Sequence, residues 1–180
     1  MIIGLTGPNA SGKGEAAEYL RSKGFIYYSL SDILREEGKR LGIEPLRENL
    51  IDLGNRMRKE NGPAALAVLL SKKILKNKDY IVDSIRNPAE IEILRKLGGF
   101  ILLGLDAPIE TRFKRSTERN RAGDALTLED FKVKEARENK PDIENQQLKK
   151  CLDMADIVII NDSSLKDLYN KIDEAVKKSN

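Results

Sequence analysis

The amino-acid sequence predicts a three-layer α/β domain in which helices cover both faces of a parallel β-sheet. Short apolar runs alternate with helical patterns along all 180 residues, as expected of β-α-β units with right-handed crossovers. The apolar runs are hydrophobic almost without interruption, which is typical of strands buried on both faces. We interpret residues 1–180 as a single domain, because this length suffices for one well-packed core.

Strand and helix signals follow one another in a regular order. The predicted strands are Ile2–Thr6, a weaker Phe25–Ser29, Tyr80–Asp83, Phe100–Leu105 and Asp156–Ile160. Helix-start signals stand at Asn87-Pro88, at Asp106 with Pro108, at Thr127 and at Ser164. Helix-end signals are Asn61-Gly62-Pro63 and Gly98-Gly99. Residues 31–78 predict about three helices between the second and third strands.

Composition limits the classes of function. The net charge is only +3, so no global field that attracts nucleic acid is expected. The chain has no histidine and a single cysteine, which excludes an internal disulfide and favours a packing role for Cys151 over a nucleophilic one. Apolar stretches are far shorter than a membrane span. We therefore expect a cytoplasmic protein that binds neither nucleic acid nor membrane, and the oligomeric state stays open.

A glycine-bracketed loop after the first predicted strand is the most informative segment. It reads Gly7-Pro8-Asn9-Ala10-Ser11-Gly12-Lys13-Gly14, and a helical pattern opens at Lys13. In such a loop, backbone N–H groups surround a polyphosphate and the helix N-terminus adds partial positive charge. The alternative is a turn that only reverses the chain. We predict that ATP contacts Gly7, Asn9, Ala10, Ser11, Gly12, Lys13, Gly14 and Glu15.

Two charged residues follow the third predicted strand. Asp83 ends that strand, at the edge of the sheet where α/β proteins bind ligands, and we predict that it binds Mg²⁺. The alternative is a turn or helix cap. Arg86 lies three residues further on, where a fork-shaped, always-charged side chain can hold a phosphate with two hydrogen bonds. The alternative for Arg86 is a surface arginine.

An arginine-rich segment and an acidic-basic pair complete the candidate residues. Four arginines stand within ten positions, and three of them share one helix face: Arg112, Arg115, Arg119 and Arg121. Arginine suits a phosphoryl group in transfer, so we predict that Arg115, Arg119 and Arg121 are catalytic together with Lys13 and Arg86. The alternative is a network of ion pairs with nearby glutamates. Asp32 and Arg35 are predicted to face the second substrate, unless Ser31 or Asp32 only caps the helix.

These motifs resemble those of adenylate kinase and other nucleoside monophosphate kinases, in the same order and over essentially the whole chain. The matching segments are Gly12-Lys13-Gly14, Asp32-Ile33-Leu34-Arg35, Asp83-x-x-Arg86 and the arginine-rich segment. The sequence is also similar to archaeal adenylate-kinase-like proteins and to the kinase-like segment of some deoxycytidylate deaminases. The similar segments are Arg112–Asn120, Thr127-x-Glu129-x-Phe131 and Ala155–Asp162. Glu15 replaces the threonine of the first pattern, and Lys134-Glu135 replaces an Arg-Asp pair of the second.

The resemblance implies a three-layer P-loop kinase fold with a five-stranded parallel sheet of order 2-3-1-4-5. It implies a helical insert at residues 31–78 that binds the monophosphate and a short lid at about 119–137. Asn161 and Asp162 would lie beside the nucleotide base. Arg56 and Arg58 would be weaker candidates for the acceptor phosphate, beside Asp32, Arg35 and Arg86.

The predicted reaction is transfer of the γ-phosphoryl group of ATP to a (deoxy)nucleoside monophosphate with Mg²⁺. A phosphate acceptor is already largely dianionic at neutral pH and needs no base, which suits a chain without histidine. One alternative is phosphorylation of a hydroxyl, as in dephospho-CoA kinase, with Asp32 or Asp83 as base. Another is a nucleotide-binding regulatory module without catalysis, which Glu15, Lys134 and the missing Walker serine would favour.

Overall fold

The computed structural model describes residues 1–119, 125–137 and 146–178, with the side chains of residues 47, 48 and 137 outside the described set. One sheet contains the strands β1 (Ile2–Thr6), β2 (Ile26–Ser29), β3 (Tyr80–Asp83), β4 (Phe100–Asp106) and β5 (Ile157–Ile160). Its order is β2-β3-β1-β4-β5 and all pairings are parallel. The predicted fold class and strand order are therefore confirmed.

Helices connect these strands at the positions that the capping signals indicate. They are α1 (Lys13–Ser22), α2 (Leu30–Arg40), α3 (Arg47–Asn61), α4 (Ala65–Ser71), α5 (Pro88–Arg95), α6 (Ile109–Arg119), α7 (Leu128–Arg137), α8 (Leu148–Asp153) and α9 (Leu165–Lys177). The three helices predicted between the second and third strands are α2, α3 and α4. Residues 120–124, in the predicted lid, lie outside the described residues.

Two apolar clusters lie on opposite faces of the sheet. On one face, Ile3 and Ile81 pack with Leu20 of α1 and Ile172 of α9. On the other face, Val82 packs with residues of α2 to α5 and of α8. This alternation of side chains along β3 is the expected period of two. Cys151 is fully buried in the second cluster, where burial raises the pKa of its thiol, in agreement with a packing role.

Helix caps fix the segments that approach the site. Asn87 caps α5 by accepting a hydrogen bond from the Ala89 N–H, and the Glu90 carboxylate accepts one from the Asn87 N–H, which completes a capping box. In α2 the cap is Ser29, whose hydroxyl accepts from the Ser31 N–H. The alternative that Ser31 or Asp32 only caps this helix is excluded, because the extended last residue of β2 supplies the cap.

None of the helices in the described ranges is both long enough and apolar enough to cross a lipid bilayer.

Candidate functional site

The loop at residues 7–14 leaves β1 at the carboxyl edge of the sheet and leads into α1. Gly7 and Gly12 have positive φ angles of 137° and 106°, a region that favours glycine. A Cβ atom at Gly7 would overlap the carbonyl oxygen of Leu105, and one at Gly12 would overlap the side-chain amide of Asn161. The two glycines therefore let the loop backbone lie directly against the ends of β4 and β5.

Asn161 forms part of the wall behind this loop. Its side-chain N–H donates to the carbonyl of Ser11 at 3.0 Å, and its own N–H donates to the carbonyl of Asp106 at 2.7 Å. Asn161 is buried and thus joins the loop to the ends of β4 and β5. The contact with the nucleotide base remains a prediction for this residue, while its neighbour Asp162 is exposed and lies 3.8 Å from Lys171.

Lys13 reaches over the mouth of the loop. Its ammonium donates to the carbonyls of Gly7 at 2.6 Å and of Pro8 at 2.8 Å. No atom lies within 4 Å of a Cβ built at Gly14, and Glu15 is exposed in the first turn of α1. The loop therefore combines backbone that only glycine permits, a helix N-terminus and one ammonium group, which together suit a polyphosphate.

Arginines of α6 approach the loop from the other side. Arg119 donates from Nη2 to the side-chain oxygen of Asn9 at 3.3 Å. Arg115 is partly buried on the same helix, and its Nη1 has no hydrogen-bond partner among the described residues. Arg121 lies outside the described residues. Of the three arginines in this segment that were predicted to be catalytic, the structure thus places Arg119 at the loop.

Arg112 forms an ion pair, as in the alternative that the sequence left open for the arginine-rich segment. Its guanidinium is bound by both carboxylate oxygens of Glu135 in α7 and donates to the carbonyl of Ala107 at 2.9 Å. It also lies 5.7 Å from the centre of the Phe131 ring. Sequence reasoning did not identify Glu135 as a partner. The helical spacing of the arginines and the acidic residue of α7 are the only signals for it.

Asp83 ends β3 beside β1 and accepts two hydrogen bonds. Its carboxylate accepts from the hydroxyl of Tyr27 at 3.1 Å and from the N–H of Ser84 at 2.6 Å. Burial raises the pKa of Tyr27 to about 12, and the carboxylates of Asp83 and Asp32 add to this effect. Tyr27 is therefore a neutral donor that orients Asp83, a role that the sequence did not indicate.

The predicted pair in α2 lies at the surface. Arg35 donates to the carboxylate of Asp32 at 2.6 Å, and both side chains are about half exposed. Because α2 begins directly after Ser29, which pairs with Asp83 in the sheet, this pair lies near the Asp83 end of the sheet edge. The two residues are thus available to a ligand, but they bind each other in this structure.

A buried group of charges lies between the helical insert and the start of α5. Arg58 of α3 has its Nε 3.9 Å from Oε1 of Glu90, and both side chains are almost completely buried. The other oxygen of Glu90 accepts from the N–H groups of Arg86 and Asn87 at 2.9 and 3.0 Å. The Arg86 side chain donates to Gln146 at 2.9 Å. The positive charges of Arg58 and Arg86 thus both act on the Glu90 carboxylate.

Burial sets the protonation behaviour of this group. It lowers the pKa of Arg58, and the nearby charge of Arg86 lowers it further while Glu90 opposes both effects. Burial also raises the pKa of Glu90, although the positive charge of Arg58 and the hydrogen bonds from the two N–H groups lower it. Arg58 and Glu90 are buried while Arg86 is partly exposed, so the group carries two positive charges against one negative charge, and a ligand anion would be stabilised here.

Arg56 lies on the outer side of α3. It is exposed and lines a shallow cleft with Ile43, Asn49, Asp52 and Leu53. Of the two arginines considered for the acceptor phosphate, the structure thus places Arg58, and not Arg56, beside Arg86.

The residues at the sheet edge fit a nucleotide with Mg²⁺. Gly7 and Gly12 let the loop backbone pack against Leu105 and Asn161, and Asp83 offers a carboxylate oxygen at the end of the neighbouring strand. Mg²⁺ prefers oxygen ligands, keeps several waters, and is often held by one or two carboxylates together with substrate phosphates. A single carboxylate at this position is sufficient for such a site.

Comparisons with known proteins agree with this geometry. Residues 3–132 match the family described as "AAA domain". A UPF0200 protein from Sulfurisphaera tokodaii is 34% identical over 177 residues, which cover 98% of this chain and 96% of that protein.

Two solved structures show the same architecture. The crystal structure of TT1252 from Thermus thermophilus matches with a TM-score of 0.65 and 25% sequence identity. The match covers 99% of this chain and 96% of the TT1252 chain. Shikimate kinase from Aquifex aeolicus has a TM-score of 0.58 and 17% identity, with coverage of 99% and 97%. The latter similarity concerns the fold, which is that of P-loop kinases.

We predict that Tyr27→Phe weakens the dependence of stability on pH in alkaline solution. The folded-state pKa is raised from 10.0 to about 12, so the stabilising contribution is complete below pH 10 and is lost as the pH rises through 12. Denaturant unfolding on both sides of this interval measures the effect. The wild type should lose more free energy of unfolding than Tyr27→Phe, and Tyr28→Phe, which keeps the Tyr27–Asp83 bond, should behave like the wild type. Equal losses in all three proteins would contradict the assignment.

Proposed function

Since the chain belongs to the UPF0200 protein family and residues 3–132 to the AAA domain family, we propose that it is an ATP-dependent phosphotransferase. The proposed acceptor is a (deoxy)nucleoside monophosphate, and Mg²⁺ is the proposed cofactor. The observation that carries the proposal is the convergence of Lys13 and Arg119 on the loop at residues 7–14. A cradle for the donor phosphates and an arginine beside it are the groups that phosphoryl transfer requires.

The donor half of the reaction uses the loop and the cations around it. Backbone N–H groups of the loop would hold the β-phosphate, and Lys13 would exchange its two carbonyl partners for β- and γ-phosphate oxygens. Arg119 would stabilise the charge that spreads over the oxygens of the γ-phosphoryl group. Asp83 would hold Mg²⁺, which would supply partial neutralisation of the negative charge on the donor phosphates.

The acceptor half uses the buried charges between the insert and α5. Arg58 and Arg86 would bind the phosphate of the monophosphate, with Glu90 as the fixed counter-charge between them. One oxygen of that phosphate attacks the γ-phosphorus, a new P–O bond forms, and the bond to the β,γ-bridging oxygen of ATP breaks. The products are ADP and a nucleoside diphosphate, and no proton has to be removed from the attacking oxygen.

The surroundings of the two carboxylates favour a phosphate acceptor over a hydroxyl. A hydroxyl acceptor needs a base within hydrogen-bond reach, and the chain has no histidine. Asp32 already binds Arg35, and Asp83 already accepts hydrogen bonds from Tyr27 and Ser84. Paired cations at the acceptor side would instead serve a substrate that carries its own negative charge.

We expect purified protein with Mg-ATP to phosphorylate at least one member of a panel of ribo- and deoxyribonucleoside monophosphates. Coupled ADP detection and chromatography of the products measure the reaction. The same panel contains hydroxyl acceptors, namely dephospho-CoA, shikimate and gluconate. Turnover of a hydroxyl acceptor alone would replace the proposal with hydroxyl phosphorylation. Tight ATP binding without ADP production on any acceptor would replace it with a regulatory nucleotide-binding module.

The acceptor site has a matched pair of test positions on one helix. Arg58→Met should raise the KM for the acceptor by about 10- to 100-fold, since a hydrogen bond to a charged group contributes about 1.5–3 kcal/mol. The KM for ATP should stay unchanged. Arg56→Met, two positions away and exposed, is the control and should change neither constant.

A folding control accompanies these variants because Arg58 is buried. Thermal unfolding of each variant establishes whether it is folded, and Arg86→Met, at a partly exposed side chain, probes the same site if Arg58→Met unfolds. Equal acceptor constants in the wild type and in folded Arg58→Met and Arg86→Met would exclude this site for the acceptor phosphate.

A further inference from the structure

We propose that Asn9 is a positioning residue whose side chain aims Arg119 at the phosphoryl group in transfer. This inference rests on the proposed function, because it assigns to Arg119 a task in phosphoryl transfer. It goes beyond that function in naming a residue of the loop that acts through another side chain. The loop would thus hold the donor phosphates with its backbone and orient an arginine with one of its side chains.

The hydrogen bond between the two residues is the first observation. Arg119 Nη2 donates to Asn9 Oδ1 at 3.3 Å across 110 positions of sequence. A guanidinium has donors only, so the amide oxygen, not the amide nitrogen, must face it. The long side chain of Arg119 gains its orientation from such a contact, since its rotamer freedom is large.

The backbone of Asn9 is fixed by a second arginine of the same helix. Arg112 Nη1 donates to the Asn9 carbonyl at 3.5 Å, while its Nε is held by the Ala107 carbonyl at 2.9 Å. Glu135 binds two nitrogens of the same guanidinium. Arg112 is only 5% exposed, so it is a rigid support. Asn9 is therefore placed by the body of the fold and can orient Arg119 in turn.

The neutrality of the Asn9 side chain matters for this role. An aspartate at the same position would also accept a hydrogen bond, but its charge would neutralise Arg119 and repel the donor phosphates. An amide orients the guanidinium and leaves its positive charge available. Because Lys13 engages the adjacent carbonyls of Gly7 and Pro8, residues 7–9 guide both cations toward one position above the loop.

A double-mutant cycle tests the coupling. Asn9→Ala should lower kcat by roughly 10- to 100-fold, because a misplacement of about 1 Å in a reacting group can cost that much. The dissociation constant for ATP, measured by calorimetry, should stay unchanged. In an Arg119→Ala background, Asn9→Ala should have no further effect on kcat. In an Arg115→Ala background, the matched control on the same helix, the two effects should multiply.

A second variant separates orientation from charge. Asn9→Asp keeps an acceptor for Arg119, and we expect it to weaken ATP binding through repulsion of the phosphates. Asn9→Ala lacks the acceptor and should leave ATP binding intact. Opposite behaviour, with weak binding in Asn9→Ala and normal binding in Asn9→Asp, would overturn the positioning role.

A spectroscopic measurement tests the inference without turnover. The Nε–Hε resonance of Arg119, assigned by its loss in Arg119→Ala, should move toward that of free arginine in Asn9→Ala and stay near its wild-type position in Asn9→Asp. An unmoved resonance in Asn9→Ala, or multiplying effects on kcat in the Asn9–Arg119 cycle, overturns the inference alone. Unchanged kcat in Arg119→Ala, or no turnover by the wild type, counts instead against the proposed function, and the resonance then decides the inference.

Discussion

The close approach of the loop at residues 7–14 to the ends of β4 and β5 is the constraint on which the site depends. Gly7 lies against the carbonyl of Leu105, and Gly12 lies against the side chain of Asn161, which itself bonds to the loop backbone. No side chain fits at either contact. The parallel order of the sheet puts β1 between β3 and β4, and the loop therefore forms where the carboxyl ends of the strands meet.

The charged side chains of the site form three groups with different partners. Arg112 is buried and fixed by Glu135 and the Ala107 carbonyl, so it belongs to the scaffold. Lys13 and Arg119 form hydrogen bonds with loop atoms of Gly7, Pro8 and Asn9, on the side proposed for the donor phosphates. Glu90 and Arg58 form a separate buried pair beside the backbone of Arg86. The donor and acceptor sides of the proposed reaction thus have independent electrostatic supports.

The sequence predicted the fold well and the side-chain contacts of the site poorly. Uninterrupted apolar runs and capping signals are local, so β1, β3 and the start of α5 were correctly predicted. The contact of Asn9 with Arg119 and that of Arg112 with Glu135 join residues far apart in sequence, and only the fold brings them together. The cap of α2 could not be chosen from the sequence because Ser29 and Ser31 offer the same hydroxyl, and strand geometry decides between them.

Binding of the triphosphate tail by the loop at residues 7–14 is the central claim, and a crystal structure with Mg²⁺ and a non-hydrolysable ATP analogue tests it directly. We expect the β-phosphate to lie inside the loop, with the Lys13 ammonium moved from the carbonyls of Gly7 and Pro8 to the phosphate oxygens. An analogue bound elsewhere, with Lys13 still on those carbonyls at saturating analogue, would contradict it.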